Sequence, residues 1–150
     1  MDYTIVKLDK NKLKEYVQFK NQSHEESESI NATDPEKALK VIIEWSEDKD
    51  KVAYVILDGS KIIGQLFIEF NQKEKNCHIA LISVLEAYYG KGAAKQLVEK
   101  AISETNHLHI NNVEFTVNPN NIGGIKIYEK IEVLRFKENR VLSTLKIKVN

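Results

Sequence analysis

Ile82-Ser83-Val84-Leu85-Glu86-Ala87-Tyr88-Tyr89-Gly90-Lys91-Gly92-Ala93-Ala94-Lys95 is the stretch of sequence that decides the fold. Its first three residues end an apolar run, Cys77–Val84, that reads as a β-strand. Its last residues open the most regular helical pattern in the chain. Ala94, Leu97, Val98, Ala101 and Ile102 recur at i, i+3, i+4, i+7 and i+8, which predicts a helix over 90–108 with one buried stripe. A strand that enters a helix through Gly-x-Gly leaves backbone N–H groups pointing one way, at the positive end of the helix dipole. Such a turn suits an anion of the pyrophosphate kind, and Lys91 and Lys95 add positive charge. It is not a Walker A loop, because Lys91 is followed by Gly92 rather than Ser or Thr, and Leu85 stands five before Gly90. Nor is it a dinucleotide fingerprint, since Lys95 occupies the third glycine position. The plainer alternative is a β-to-α turn whose glycines serve backbone freedom alone.

Outward from this turn the chain alternates between the two periodicities. On the N-terminal side, Val52–Leu57 and Ile62–Phe70 are β-rich runs joined across Asp58-Gly59-Ser60-Lys61, a hairpin signal. Thr4–Leu8 reads as a first strand. Leu13, Tyr16 and Val17 mark a helix over 11–22, and the polar, acidic stretch Ser23–Ser29 reads as a loop or frayed turn. Asp34 and Pro35 make a helix start, as N-cap and first helical residue, before an apolar face of Ala38, Val41, Ile42 and Trp45. On the C-terminal side, Val113–Val117 is a strand and Ile122–Ile131 a short helix. Val133–Lys137 and Val141–Lys148 close the chain as a strand pair around Glu138-Asn139-Arg140. The order β-α-α-β-β-β-α-β-α-β-β predicts one α/β domain over residues 1–150. Its central sheet is mixed and mostly antiparallel, with flanking helices and one β-α-β crossover.

Composition narrows the function. The 150 residues carry 22 basic and 22 acidic side chains, a net charge of zero, and 42% are hydrophobic, enough for a proper core. A nucleic-acid or anionic-membrane binder would show a basic excess, and only Arg135 and Arg140 are arginines, so neither partner is expected. Cys77 is the single cysteine, which excludes an internal disulfide and a cysteine-based zinc cluster and fits a reducing cytoplasm. No stretch reads as a leader or a membrane span, so a cytoplasmic location is the expectation. His24, His107 and His109 read as surface residues without ligand partners at helical metal spacing, and no metal is expected.

The segment from Ile82 to Ala94 resembles the acetyl-CoA-binding motif of the GCN5-related N-acetyltransferases (GNAT), Leu-x-Val-x-Pro-x-Tyr-(Arg/Gln)-Gly-x-Gly-x-(Gly/Ala). About 30 residues on, Asn121-Ile122-Gly123-Gly124-Ile125-Lys126-Ile127-Tyr128-Glu129-Lys130 is similar to the family's second signature, Asn-x-x-Ala-x-x-Leu-Tyr-Glu-Lys. The two motifs, their separation and the strand order together extend the resemblance over nearly the whole chain. It departs from the family at Tyr89 (usually Arg or Gln), at Glu86 (commonly proline) and at Ile131–Phe136, where Gly-Phe usually follows the helix.

The resemblance implies transfer of an acetyl group from acetyl-CoA to an amine, on a small molecule or a peptide, by direct attack. It assigns the backbone of Ile82, Ser83 and Val84 to the pantetheine arm, held like an added strand. Tyr89, Gly90, Lys91, Gly92, Ala93, Ala94 and Lys95 are assigned to the pyrophosphate. Asn121 is assigned to the cofactor near the thioester; its other reading is a helix N-cap. Tyr128 is the implied acid for the departing thiolate, since a phenol is protonated at neutral pH; its other reading is a core tyrosine. His78 is a candidate proton acceptor for the amine, with Glu69 and Glu86 as alternatives. Strand alternation places His78 on one face with Ala80, Ile82 and Val84, and Cys77 on the other, so a Cys77–His78 nucleophile is not expected. Glu25, Glu26 and Glu28 either attract a cationic acceptor or form a solvated acidic loop. The rival class is a non-catalytic acyl-CoA-binding sensor or regulatory module. The C-terminal strand edges would allow a homodimer.

Overall fold

The computed structural model describes residues 2–26, 34–110, 112–117, 126 and 144–147. Its centre is a six-stranded sheet in the order β1-β2-β3-β4-β5-β6, formed by Thr4–Lys7, Lys51–Asp58, Lys61–Asn71, Asn76–Val84, Asn112–Val117 and Thr144–Ile147. The first three pairings are antiparallel, and β4·β5 and β5·β6 are parallel. The mixed, mostly antiparallel α/β architecture expected from the sequence is the observed one. Gly59, with φ +62°, makes the tight turn that pairs Asp58 with Lys61.

Among the described residues three α-helices cover the sheet: α1 Leu13–Glu26, α2 Pro35–Glu47 and α3 Ala93–His107. The Asp34 carboxylate accepts the Glu36 N–H at 2.8 Å and caps α2 as the sequence suggests. Helices α1 and α2 pack on one face, where Tyr16 stacks on Phe67 and Trp45 meets Phe67 edge-on with centroids 4.8 Å apart. Helix α3 packs on the opposite face, where the Tyr54 hydroxyl donates to Glu104 at 2.7 Å. Between the layers Val55, Ile56, Ile63, Leu66, Ile68 and Leu97 are sealed from solvent.

Two helix boundaries differ from expectation. α3 begins at Ala93, not Gly90, because Gly90 and Gly92 take φ values of +74° and +89°, which end any right-handed helix. α1 runs to Glu26 through half of the expected acidic loop. Gln22 donates to Glu26 within its last turn, and the Glu26 carboxylate is itself engaged across the molecule, as described below. The expected helix 122–131 lies outside the described residues except for Lys126, which is helical. The expected strand 133–137 also lies outside them. Thr144–Ile147 falls within the predicted strand 141–148 and runs beside β5. Among the described residues no helix is long and apolar enough to cross a membrane.

Candidate active site

Strand β4 is where the sheet changes character. Its ladder with β5 pairs Asn76–Ile79 with Asn112–Phe115 and goes no further. Beyond Ile79 the β3 register slips: Ile68 faces Ile79 and Phe67 faces Leu81, so Ala80 is an extra residue in a β-bulge. Among the described residues, Ala80–Val84 thus has a strand partner on the β3 side alone. Peptide groups on that open edge are free to bond a ligand laid along it.

The bulge corrects one expectation from simple alternation. His78 pairs with Glu69, while Ile82 and Val84 pair with Leu66 and Gly64 on the other face. His78 therefore shares its face with Leu81 and Ser83, the face covered by α1 and α2, and not with Ile82 and Val84. Cys77 lies on the α3 face. Burial pushes its thiol up to about 11, with a Thr105 hydrogen bond opposing only in part, which keeps it an unreactive core residue.

Three contacts fix the loop that leaves β4. The Leu85 N–H donates to the Ile63 carbonyl at 2.9 Å. The Glu86 N–H donates to the Glu26 carboxylate at 2.7 Å. The Tyr88 hydroxyl donates to Asp58 at 2.8 Å, with its ring edge-on to Tyr3. A one-turn 3₁₀ segment, Glu86–Tyr88, then delivers the chain to Gly90-Lys91-Gly92. Glycine is required at both positions because a side chain at φ near +74° or +89° is strained. A Cβ at either one would meet nothing within 4 Å, so the turn faces open space.

Helix α3 closes its first hydrogen bond from Gln96 N–H to the Gly92 carbonyl at 3.1 Å, and Gly92 offers no side-chain cap. The amides of Ala93, Ala94 and Lys95 precede that bond, at the positive end of the helix. Three lysines surround the turn. Lys91 lies 5.8 Å over the Tyr88 ring, Lys95 reaches Glu99 at 4.0 Å, and Lys126 lies 5.9 Å over the Tyr89 ring. Only Lys126 was not anticipated from the sequence.

The candidate proton acceptors fall in two places. Glu69 and His78, with Glu114 beside them on β5, line a cleft of about 650 Å³ at the end of the sheet far from the glycine turn. Glu86 stands at the other end, exposed on the 3₁₀ turn, with its amide tied to Glu26. Asn121 and Tyr128 lie outside the described residues, as does Glu28. Glu26 serves as the amide acceptor just described rather than as part of a solvated loop, and Glu25 is exposed. No group of three or more His, Cys, Asp or Glu among the described residues is arranged to hold a metal.

A second cleft, about 670 Å³, opens directly above the bulge. Its floor is Phe67, Ala80 and Leu81; α1 contributes Tyr16, Lys20 and His24; α2 contributes Lys37, Val41 and Trp45, with Asp34 at its start. In the sequence its one trace is Lys20, which stands one helical turn beyond Tyr16 on the buried stripe. Beneath the cleft, Gln65 is 2% exposed and links two elements. It accepts from the Tyr16 hydroxyl at 2.9 Å and donates to Ser83 Oγ at 3.0 Å.

Solved structures share this fold. A transcriptional regulator from Bacillus halodurans C-125 superposes with a TM-score of 0.72 at 19% identity, over 87% of this chain and 91% of that one. The PaiA N-acetyltransferase from Thermoplasma acidophilum, solved in complex with coenzyme A, gives 0.71 at 18% identity, over 87% and 88%. The ribosomal-protein-alanine N-acetyltransferase from Brucella melitensis biovar Abortus 2308 gives 0.69 at 16%, over 87% and 90%. At such identities the likeness is one of fold. No curated protein matches the sequence. The sequence profile of the acetyltransferase (GNAT) family matches residues 16–132, from the first turn of α1 to beyond the second motif. The chain belongs to the GNAT acetyltransferase family.

Proposed function

We propose that this chain is an N-acetyltransferase that moves the acetyl group of acetyl-CoA onto an amine by direct attack. The observation that carries the reading is the junction of β4 and α3, where an open strand edge runs into a left-handed glycine turn capping a helix. The edge at Ile82–Val84 suits the amide-bearing pantetheine arm. The amides of residues 93–95, with Lys91 and Lys95 beside them, suit the pyrophosphate. Asn121 and Tyr128 take the family's positions for orienting the thioester and protonating the departing sulfur. In the reaction the amine nitrogen forms a bond to the carbonyl carbon and the carbon–sulfur bond breaks. The thiolate takes a proton from the Tyr128 phenol, which solvent then replaces.

The attacking amine must also lose a proton. His78 suits that task better than Glu86, because the bulge puts His78 on the face that carries the cleft over Ala80 and Leu81. Phe67 and Glu69, the partners of Leu81 and His78, are two residues apart, about 7 Å along the strand. That separation calls for an intervening water, with Glu69 and Glu114 on either side of the imidazole.

The test is release of free thiol from acetyl-CoA in the presence of amines. Tyr128→Phe keeps the ring and removes the donor, so kcat should fall roughly 10²-fold. A kcat within about twofold of the parent assigns Tyr128 to packing alone. A protein that binds CoA but turns over no amine is the sensor rather than the enzyme.

A further inference from the structure

Among the described residues, the lining of the cleft above the bulge carries the wrong charge for a polyamine. Its floor is apolar and aromatic, built by Phe67, Leu81 and the edge of Trp45, and Leu81 is 37% exposed although it is a large apolar residue. Two ammonium groups face it, Lys20 from α1 and Lys37 from α2. Neither has an ion-pair partner among the described residues. Burial pushes the Lys20 pKa down. His24, next on the α1 stripe, is also held below its ordinary range by burial and by the Lys20 charge. Among the described residues the one carboxylate in the lining, Asp34, is already engaged as the α2 N-cap.

We infer that the acceptor is an apolar α-amino acid, whose carboxylate pairs with Lys20 and Lys37 while its side chain lies on Phe67, Leu81 and Trp45. This deepens the acetyltransferase reading and rests on it. A half-buried ammonium without a counter-charge is stabilised by an incoming anion and raises the barrier to an incoming polycation. The cleft volume of about 670 Å³ falls within the usual small-molecule range of about 300–1,000 Å³. In the step itself the α-amino nitrogen bonds the acetyl carbon as the carbon–sulfur bond breaks. One proton leaves the amine for water, one reaches the thiolate, and the products are the N-acetylamino acid and CoA.

The experiment measures thiol release from acetyl-CoA with phenylalanine and leucine, with phenylalaninamide, which lacks the carboxylate, and with spermidine. CoA-induced thermal stabilisation is measured on each protein in parallel. The amino acids should be the best acceptors, with KM for phenylalanine at least tenfold below that for phenylalaninamide. Lys20→Gln should collapse that ratio to within about twofold, and Lys37→Gln, at an exposed position, should narrow it without any burden on folding. Robust turnover of spermidine with no preference for the acid over the amide overturns the inference and leaves the acetyltransferase reading standing. So does a loss of CoA stabilisation in Lys20→Gln, which would assign the lysine to the cofactor's phosphates. Absence of any CoA stabilisation in the parent protein overturns the reading beneath it.

Discussion

At Gln65 a single amide joins three elements. It is surrounded by apolar neighbours, yet both halves of its side chain are used, one by Tyr16 on α1 and the other by Ser83 on β4. Removing one member of such a network leaves the others buried without partners, at about 1–3 kcal/mol each. Gln65→Leu should therefore lower stability by that order in urea unfolding. Adding Tyr16→Phe, which removes the stranded hydroxyl, should recover part of the loss, so that the double variant falls short of the sum of the singles. Additive losses would show that the hydroxyl and the amide act independently. None of this was legible in the sequence, because Tyr16 and Gln65 are 49 residues apart and a glutamine inside an apolar strand announces no partner. Lys20 and Glu26 escaped for the same reason: their significance lies in what faces them across the fold.

Among the elements, β4 separates what patterning reveals from what it hides. Its existence and extent followed from the apolar run, but counting alternate residues assigned His78 to the wrong face. One extra residue at Ala80 reverses the count, and bulges leave no mark in hydrophobic periodicity. Helix α3 shows the converse. Its buried stripe of Leu97, Val98, Ala101 and Ile102 is plain in the periodicity, whereas its first residue is set by the left-handed φ of Gly90 and Gly92, a backbone property that a stripe does not record. Gly64 holds β3 close to its neighbours at this point. A Cβ there would stand 2.8 Å from both the Ser83 carbonyl oxygen and Ile56 Cγ2. The carbonyl belongs to backbone and cannot swing away. Gly64→Ala should cost about 1–3 kcal/mol as an overpacked site, read as a lowered denaturant midpoint. It should also weaken CoA binding, because the strain falls on the β4 segment that would receive the pantetheine. A stability within about 0.5 kcal/mol of the parent would mean that the sheet spreads there without resistance.

For the molecule as a whole, local signals were enough to order the strands and helices and to place the glycine turn between β4 and α3. They could not assemble the cleft over Ala80 and Leu81, whose walls come from α1, α2 and the sheet. Everything functional depends on the glycine turn being a pyrophosphate site, and thermal unfolding with and without CoA tests that most directly. A ligand that binds only the native state stabilises it by RT ln(1 + [L]/Kd), about 2.7 kcal/mol at a hundredfold excess over Kd. The melting temperature should climb with the logarithm of CoA concentration. Gly92→Val, which strains the left-handed turn and puts a branched side chain beside the α3 amides, should lower the melting temperature, keep a cooperative unfolding transition and lose the shift. A folded parent protein whose melting temperature does not move at about 1 mM CoA would contradict the assignment.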